Sequence, residues 1–188
     1  MIFSVRRSDT KERILEASLK LFSEKGIRET TIKDISKEVG ITEGAIYRHF
    51  TTKEDIVKEL FKRYSEEFYN RLIDAVRQKG SYKERFLKTV EAFLSFCFEN
   101  PSAFKYLDLF HYLRAKDVKD FSPLPKDAVV ELLEEGLKEG VVKVKLEYAL
   151  AMFVGTLERI FLLSEAGLLT PKEGLEREVG FVLLKALA

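Results

Sequence analysis

The sequence predicts an all-α chain of about nine helices, on three observations. Apolar residues recur at spacings of three and four almost from end to end, and no stretch keeps the two-residue alternation of a strand. Ser, Thr and Asp caps, Gly stops and Pro starts then divide this pattern into helix-sized pieces.

The first helix is expected to start at Ser8 or Asp9 as cap. It carries Ile14, Leu15, Ala17, Ser18, Leu21 and Phe22 on one face and ends at Gly26. Thr31 opens the second, with Asp34 three residues on in a capping-box spacing and Ile32, Ile35 and Val39 on its buried side; Gly40 stops it. Thr42 caps a short third helix reaching about Phe50. Thr52 caps a fourth over 53–78, roughly 26 residues or ~39 Å long. Ser81 caps a helix bearing Phe86, Leu87, Val90, Phe93, Leu94 and Cys97, and Pro101 after Asn100 starts the next. Residues 117–125 hold two prolines and read as a loop before a helix over 126–138. The most apolar segment follows at 146–167. Pro171 then begins a terminal helix whose Leu175, Val179, Val182, Leu183 and Ala186 form one stripe.

Residues 32–50 carry what a helix-turn-helix needs. Gly40 stands at the turn, where positive φ is required, Ser36 is small enough for close helix approach, and Ile35, Val39, Ile41 and Ile46 fill the wedge between helices. In such a motif the N-terminal side chains of the second helix reach base edges in the major groove of DNA. The chain therefore reads as a three-helix helix-turn-helix domain over 1–52 and a helical body over 53–188, with the 53–78 helix linking them.

Composition limits the alternatives. A formal net charge of +1 with 34% charged residues excludes a polycation that coats nucleic acid, so DNA binding has to be local. Residues 1–58 hold 12 Lys and Arg against 10 Asp and Glu, and the remainder 20 against 21, a slight basic bias at the headpiece end. Cys97 is the sole cysteine, which rules out an intramolecular disulfide and suits a reducing cytoplasm. Neither a secretory signal nor a membrane-length apolar run is expected. One Gln and two Asn beside abundant Lys and Glu suggest a thermophilic source.

The run TIKDISKEVGITEGAIYRHFTTKEDI, with its Tyr-x-His-Phe and following Lys-Glu, resembles the signature of the TetR family of repressors. The resemblance is firm over residues 9–55 and architectural beyond them. It implies that Thr42, Glu43, Gly44 and Arg48 face the major groove: Gly44 permits close approach, Arg48 suits guanine and Glu43 suits cytosine N4. It also implies phosphate contacts from Thr31, Tyr47, His49 and Lys53, helped by free backbone N–H groups at the helix starts behind Thr31 and Thr52. On this reading Lys53→Ala would weaken all sequences alike and flatten the salt slope by about one.

Twelve of the fifteen Phe residues lie after residue 58, and aromatic helix faces either fill a core or line a pocket. The resemblance implies that some surround a small, largely apolar effector; the candidates are Phe61, Tyr64, Phe68, Phe93, Phe96, Phe104, Tyr106, Phe110, His111 and Phe161. It further implies a homodimer through the last two helices, about 146–167 and 171–187, where Ala151 and Gly155 would let backbones approach. Two headpieces would then match the half-sites of a palindrome ~34 Å or more apart. A ligand pressing on the middle of the 53–78 helix would alter headpiece spacing and release a repressor.

No phosphate-cradling Gly-rich loop with Lys, zinc-protease His pair or Cys pair occurs, so neither enzyme activity, cofactor nor metal is expected. Two other classes stay open: a thiol-based redox sensor using Cys97, and a helical adaptor without DNA function.

Overall fold

The computed structural model describes residues 2–114 and 117–188, with side chains from residue 9 onward apart from 119 and 120. Among the described residues there are nine α-helices, one short 3-10 turn and no strand. The helices are α1 (Ile2–Lys25), α2 (Ile32–Val39), α3 (Glu43–Tyr47), α4 (Lys53–Val76), α5 (Tyr82–Glu99), α6 (Pro101–Leu113), α7 (Pro125–Lys138), α8 (Leu146–Glu165) and α9 (Leu175–Leu187).

Several boundaries differ from expectation, each for a physical reason. The first helix passes through Ser8 and Asp9 back to Ile2. Ser and Asp cap a helix only where the chain ahead leaves helical geometry, and no Gly or Pro between Ile2 and Thr10 makes it leave. The last helix starts at Leu175 rather than Pro171, because Gly174 sits at φ 84°, outside the right-handed helical region. The fourth ends at Val76 and the third at Tyr47. The expected 117–125 loop contains a 3-10 turn over Asp117–Asp120.

Contacts gather the chain into two compact units, drawn differently from the expected 1–52 and 53–188. One contains the residues up to Tyr64 together with Pro101–Phe121; the other contains Ser65–Asn100 and Ser122–Ala188. The first unit therefore holds α1 to α3, the start of α4 and all of α6. Its core is Ile14, Leu15, Phe22, Ile35, Ile46, Val57, Phe61, Tyr106 and Phe110, all 1% exposed or less. Each fully buried side chain of this size contributes about 1.5–3 kcal/mol through the area it removes from water. Phe61 stacks on Phe110 with ring centroids 3.9 Å apart, and Phe22 stacks on Tyr106 at 5.9 Å. A buried phenol needs a hydrogen-bond partner, and Tyr106 donates to the Val57 carbonyl of α4 at 2.6 Å. Ion pairs Arg63–Glu12 and Arg114–Glu54 lie at the edge of the same core.

The second unit packs α5 against α7, α8 and α9 around Phe86, Val90, Phe96, Leu132, Phe153 and Phe161. Here α7 passes so near α5 that Gly136 has no room for a side chain. A Cβ there would fall on Tyr82 Oη and lie 2.6 Å from Val142 Cγ2. Alanine ordinarily gains about 1 kcal/mol over glycine inside a helix. At this position overpacking wins, and Gly136→Ala is expected to lose about 1–3 kcal/mol net, read by thermal unfolding. A stabilised variant would contradict this packing.

Candidate nucleic-acid interface

The interface grows from three helix starts, each capped by a threonine. At α2, Thr31 Oγ1 accepts from the Asp34 N–H at 3.1 Å, while the Asp34 carboxylate accepts from the Thr31 N–H at 2.8 Å and from its hydroxyl at 2.7 Å. The same box recurs at α4, where Thr52 N–H donates to Asp55 at 2.8 Å and Asp55 N–H donates to Thr52 Oγ1 at 3.1 Å. The N–H groups of the cap residues Thr31 and Thr52 themselves are thus held by the chain's own carboxylates. A capping box places a carboxylate where an outside anion would otherwise sit.

This arrangement is pH-sensitive with a definite sign. The Thr31 N–H and hydroxyl, assisted by Lys25 at 3.2 Å, hold the Asp34 carboxyl down to about 2. Its unfolded value is about 3.9. Since the folded value is the lower one, this contribution to stability is complete above the unfolded value and is lost as pH falls through about 2. Asp34→Asn is expected to flatten the acid side of the stability profile between those values, measured by thermal melts from neutral pH downward. An unchanged profile would contradict the box.

Between α2 and α3 the chain turns at Gly40, whose φ of 75° lets its N–H reach the Ser36 and Lys37 carbonyls and lets Ile41 N–H bond Ser36 O at 3.0 Å. Thr42 then caps α3, accepting from Ala45 N–H at 3.2 Å. The five-residue helix is pinned by Ile46, fully buried, and followed by buried Phe50. Thr42, Glu43, Gly44, Tyr47 and Arg48 are exposed around that anchor, so the first turn of α3 and the side chain after its end share one solvent-facing surface. Tyr47 is 52% exposed, unusual for an aromatic residue on a helix with a core at hand. His49 is half-buried, and its N–H bonds Ile46 O at 2.9 Å.

Gly44 has no internal reason to be glycine. Its φ lies outside the left-handed range, and a Cβ would meet only Thr42 Oγ1 at 4.0 Å. The helix gives up about 0.5–1 kcal/mol relative to alanine there, and nothing in the chain recovers it.

Two cations turn inward. Lys53, at the start of α4, donates from Nζ to the Ile27 carbonyl at 2.7 Å and to the Thr30 carbonyl at 2.8 Å. Arg13 of α1 donates to the Val39 carbonyl at 2.7 Å, closing the C-terminal end of α2. Sequence reading missed Arg13, whose partner lies 26 residues away and carries no side-chain signal.

The proposed effector residues divide between the two units. Phe61, Phe110 and Phe121 cluster in the first, with His111 5.6 Å from Phe61; Phe104 and Tyr106 are buried there and Tyr64 is half-buried. Phe68, Phe93 and Phe96 cluster in the second, Phe68 stacking on Phe96 at 4.2 Å, while Phe161 packs near Phe98. Both clusters are inside packed cores. A groove of 560 Å³ runs along α5 in the second unit, but Glu84, Lys88, Glu91, Glu173 and Arg177 line it, which does not suit an apolar ligand. Cys97 is buried, and burial pushes its thiol well above the ordinary range, the reverse of a reactive thiolate.

The model for bacterial regulatory proteins of the tetR family matches residues 14–60, which span the second half of α1, both helix-turn-helix elements and the start of α4. Residues 14–60 are thus similar to the DNA-binding part of tetR-family regulators. The chain is 28% identical to the HTH-type transcriptional repressor KstR2 of Mycobacterium tuberculosis over 142 residues, covering 71% of this chain and 70% of that one. It is 27% identical to the fatty acid metabolism regulator protein of Bacillus subtilis over 152 residues, 77% and 78% of the two chains. A crystal structure of a TetR family transcription regulator from Marinobacter aquaeolei superposes with a TM-score of 0.81 at 16% identity, covering 97% of this chain and 98% of that one. That likeness extends the TetR fold to the whole chain, body included. Within it, the residues singled out as base-facing are the exposed side of α3. No helix among the described residues is long and apolar enough to cross a membrane.

Proposed function

We propose that this chain is a dimeric transcriptional repressor of the TetR family whose α3 enters the major groove of a palindromic operator and whose grip is released by a small, largely apolar ligand. The observation that carries the DNA half is the exposed first turn of α3, with a glycine whose bare backbone would let an outside surface approach closely. Thr42, Glu43 and Arg48 supply base-edge contacts around it, and Thr31, Tyr47 and His49 supply phosphate contacts.

Gly44→Ala separates this reading from a purely structural one, because its two effects have opposite signs. The variant is expected to unfold at a higher temperature while binding duplex more weakly, compared by melting and titration on the same sample. A rise in stability with unchanged binding would remove Gly44 from the interface. For the function itself, titration across salt is the test: duplex affinity should fall steeply as salt rises, as phosphate contacts demand. A helical adaptor would show no salt-dependent affinity for any duplex.

Dimerisation is supported by apolar surface on α8 and α9. Tyr148 is 62% exposed, Val182 63% and Phe181 38%, and Ala151 and Gly155 face solvent on α8. A second copy covering this face through a two-fold axis would also present two headpieces. Light scattering should give twice the chain mass, and a monomer at micromolar concentration would contradict the proposal.

For the ligand, the name of the Bacillus relative, a fatty acid metabolism regulator, makes a fatty-acyl compound the first class to test. Release requires the ligand to favour the DNA-incompetent state by ~1–3 kcal/mol.

A further inference from the structure

We infer that Lys53 is a positioning residue that fixes the recognition helix through the α1–α2 turn, and that its ammonium is directed at that turn rather than at a DNA phosphate. The inference rests on the reading of the headpiece as a DNA-binding unit.

The ammonium has three N–H donors, and two are committed to the carbonyls of Ile27 and Thr30, at 2.7 and 2.8 Å. Ile27 follows the end of α1 and Thr30 precedes the cap of α2, so both carbonyls belong to the segment joining these helices. That segment is itself wound tightly: the Thr30 hydroxyl donates to Gly26 O at 2.7 Å, and its N–H donates to the same carbonyl at 3.2 Å. Ile27 and Thr30 are buried, while Lys53 is half-buried, its head enclosed by backbone acceptors.

A lysine at the first position of a helix opposes the macrodipole, so α4 alone gives no reason for it. The carbonyls after the end of α1 do, because cations are favoured there. Only Arg48 to Thr52 separate α3 from Lys53. Anchoring Lys53 to residues 27 and 30 therefore holds the exit of α3 at a set distance from the entrance of α2. The two ends of the helix-turn-helix are thereby closed into one loop. Arg13 on the Val39 carbonyl secures the turn end of α2 in the same way.

A phosphate contact and an internal clamp leave different signatures in salt. Each lost phosphate contact lowers the slope of log affinity against log salt by about 0.9, whereas losing a clamp lowers affinity and leaves the slope alone. The probes are Lys53→Met, with neither charge nor donor, and Lys53→Gln, uncharged but able to donate one hydrogen bond to a carbonyl. Both are titrated against a duplex recovered by selection with the wild-type chain. Lys53→Met should weaken binding about tenfold or more at an unchanged slope. Lys53→Gln should recover part of that loss at the same slope. A slope reduced by about 0.9 for each headpiece in either variant would overturn the clamp and restore the phosphate contact. Equal losses in Met and Gln at an unchanged slope would also overturn it, because restoring a donor to the carbonyls would then make no difference. If Lys53→Met fails to fold at the assay temperature, the slope and affinity of Lys53→Gln decide alone. Failure of the wild-type chain to bind any duplex would instead sink the DNA reading, a separate outcome.

Discussion

Arg48→Ala is expected to lower affinity for the cognate duplex by about 1–3 kcal/mol per headpiece and to relax base preference at the positions it reads. In the proposed dimer two headpieces double the free-energy loss, so the combined fall reaches about thirtyfold or more. Arg48 ends α3 with helical backbone geometry, φ −74° and ψ −18°, and its side chain is exposed beside Tyr47 and Gly44. Its fork of donors is thus available to a base edge, unlike the ammonium of Lys53, which faces carbonyls. The change should leave melting temperature nearly untouched, because no core contact is lost. Titrations on cognate and random duplexes across salt distinguish the roles: equal losses on both would make Arg48 a phosphate contact.

The second large effect is on stability. Phe61→Ala is expected to lose about 3–5 kcal/mol, since it empties a fully buried ring site. Phe61 stacks on Phe110 at 3.9 Å and meets the edge of Phe121 at 4.8 Å, so its removal strips contacts from α4, α6 and the segment after the 3-10 turn together. For a chain of this length the melting temperature should drop by roughly 10 °C. Tyr112→Ala, at a residue 85% exposed, is the matched control and should stay within about 0.5 kcal/mol. A Phe61 variant that melts like the control would mean that this cluster is not part of the core.

How far the sequence carried the reading depends on the range of each signal. Thr31 with Asp34 is a three-residue signal, and Thr52 and Ser81 are caps; each appears with the hydrogen bonds of a capping box, closed at α4 and α5 by Asp55 and Glu84. Gly40 at positive φ and Pro101 at the start of α6 are equally local. Helix number and type were legible for that reason. The start of α1 was not, because Ser8 and Asp9 have a cap's chemistry without a break in the chain before them. Nor was the place of α6: partners far away in sequence, such as Val57 bonded by Tyr106 49 residues on and the Phe22 and Phe61 stacks, assign it to the first unit.

The candidate site shows the same division. The groove-facing residues around α3 are legible only through the family resemblance, and the structure shows them exposed around buried Ile46. Partners across long separations are not legible. Lys53 looks like any exposed lysine at a helix start until the carbonyls of Ile27 and Thr30 are placed beside it. The aromatic candidates were ambiguous in kind as well as in place, since periodicity marks a face as buried without saying whether rings or a ligand cover it. Their division into the Phe61–Phe110 and Phe68–Phe96 clusters is tertiary information.

Selection of bound duplexes from a random-sequence library is the most direct test of DNA recognition by α3. The enriched sequences should contain an inverted repeat with half-site centres one helical turn or a multiple of it apart, as two symmetry-related recognition helices require. Repeating the selection with Arg48→Ala should blur specific positions of each half-site. Recovery of no enriched sequence, at salt low enough for nonspecific binding to be seen, would contradict sequence-specific recognition by this headpiece.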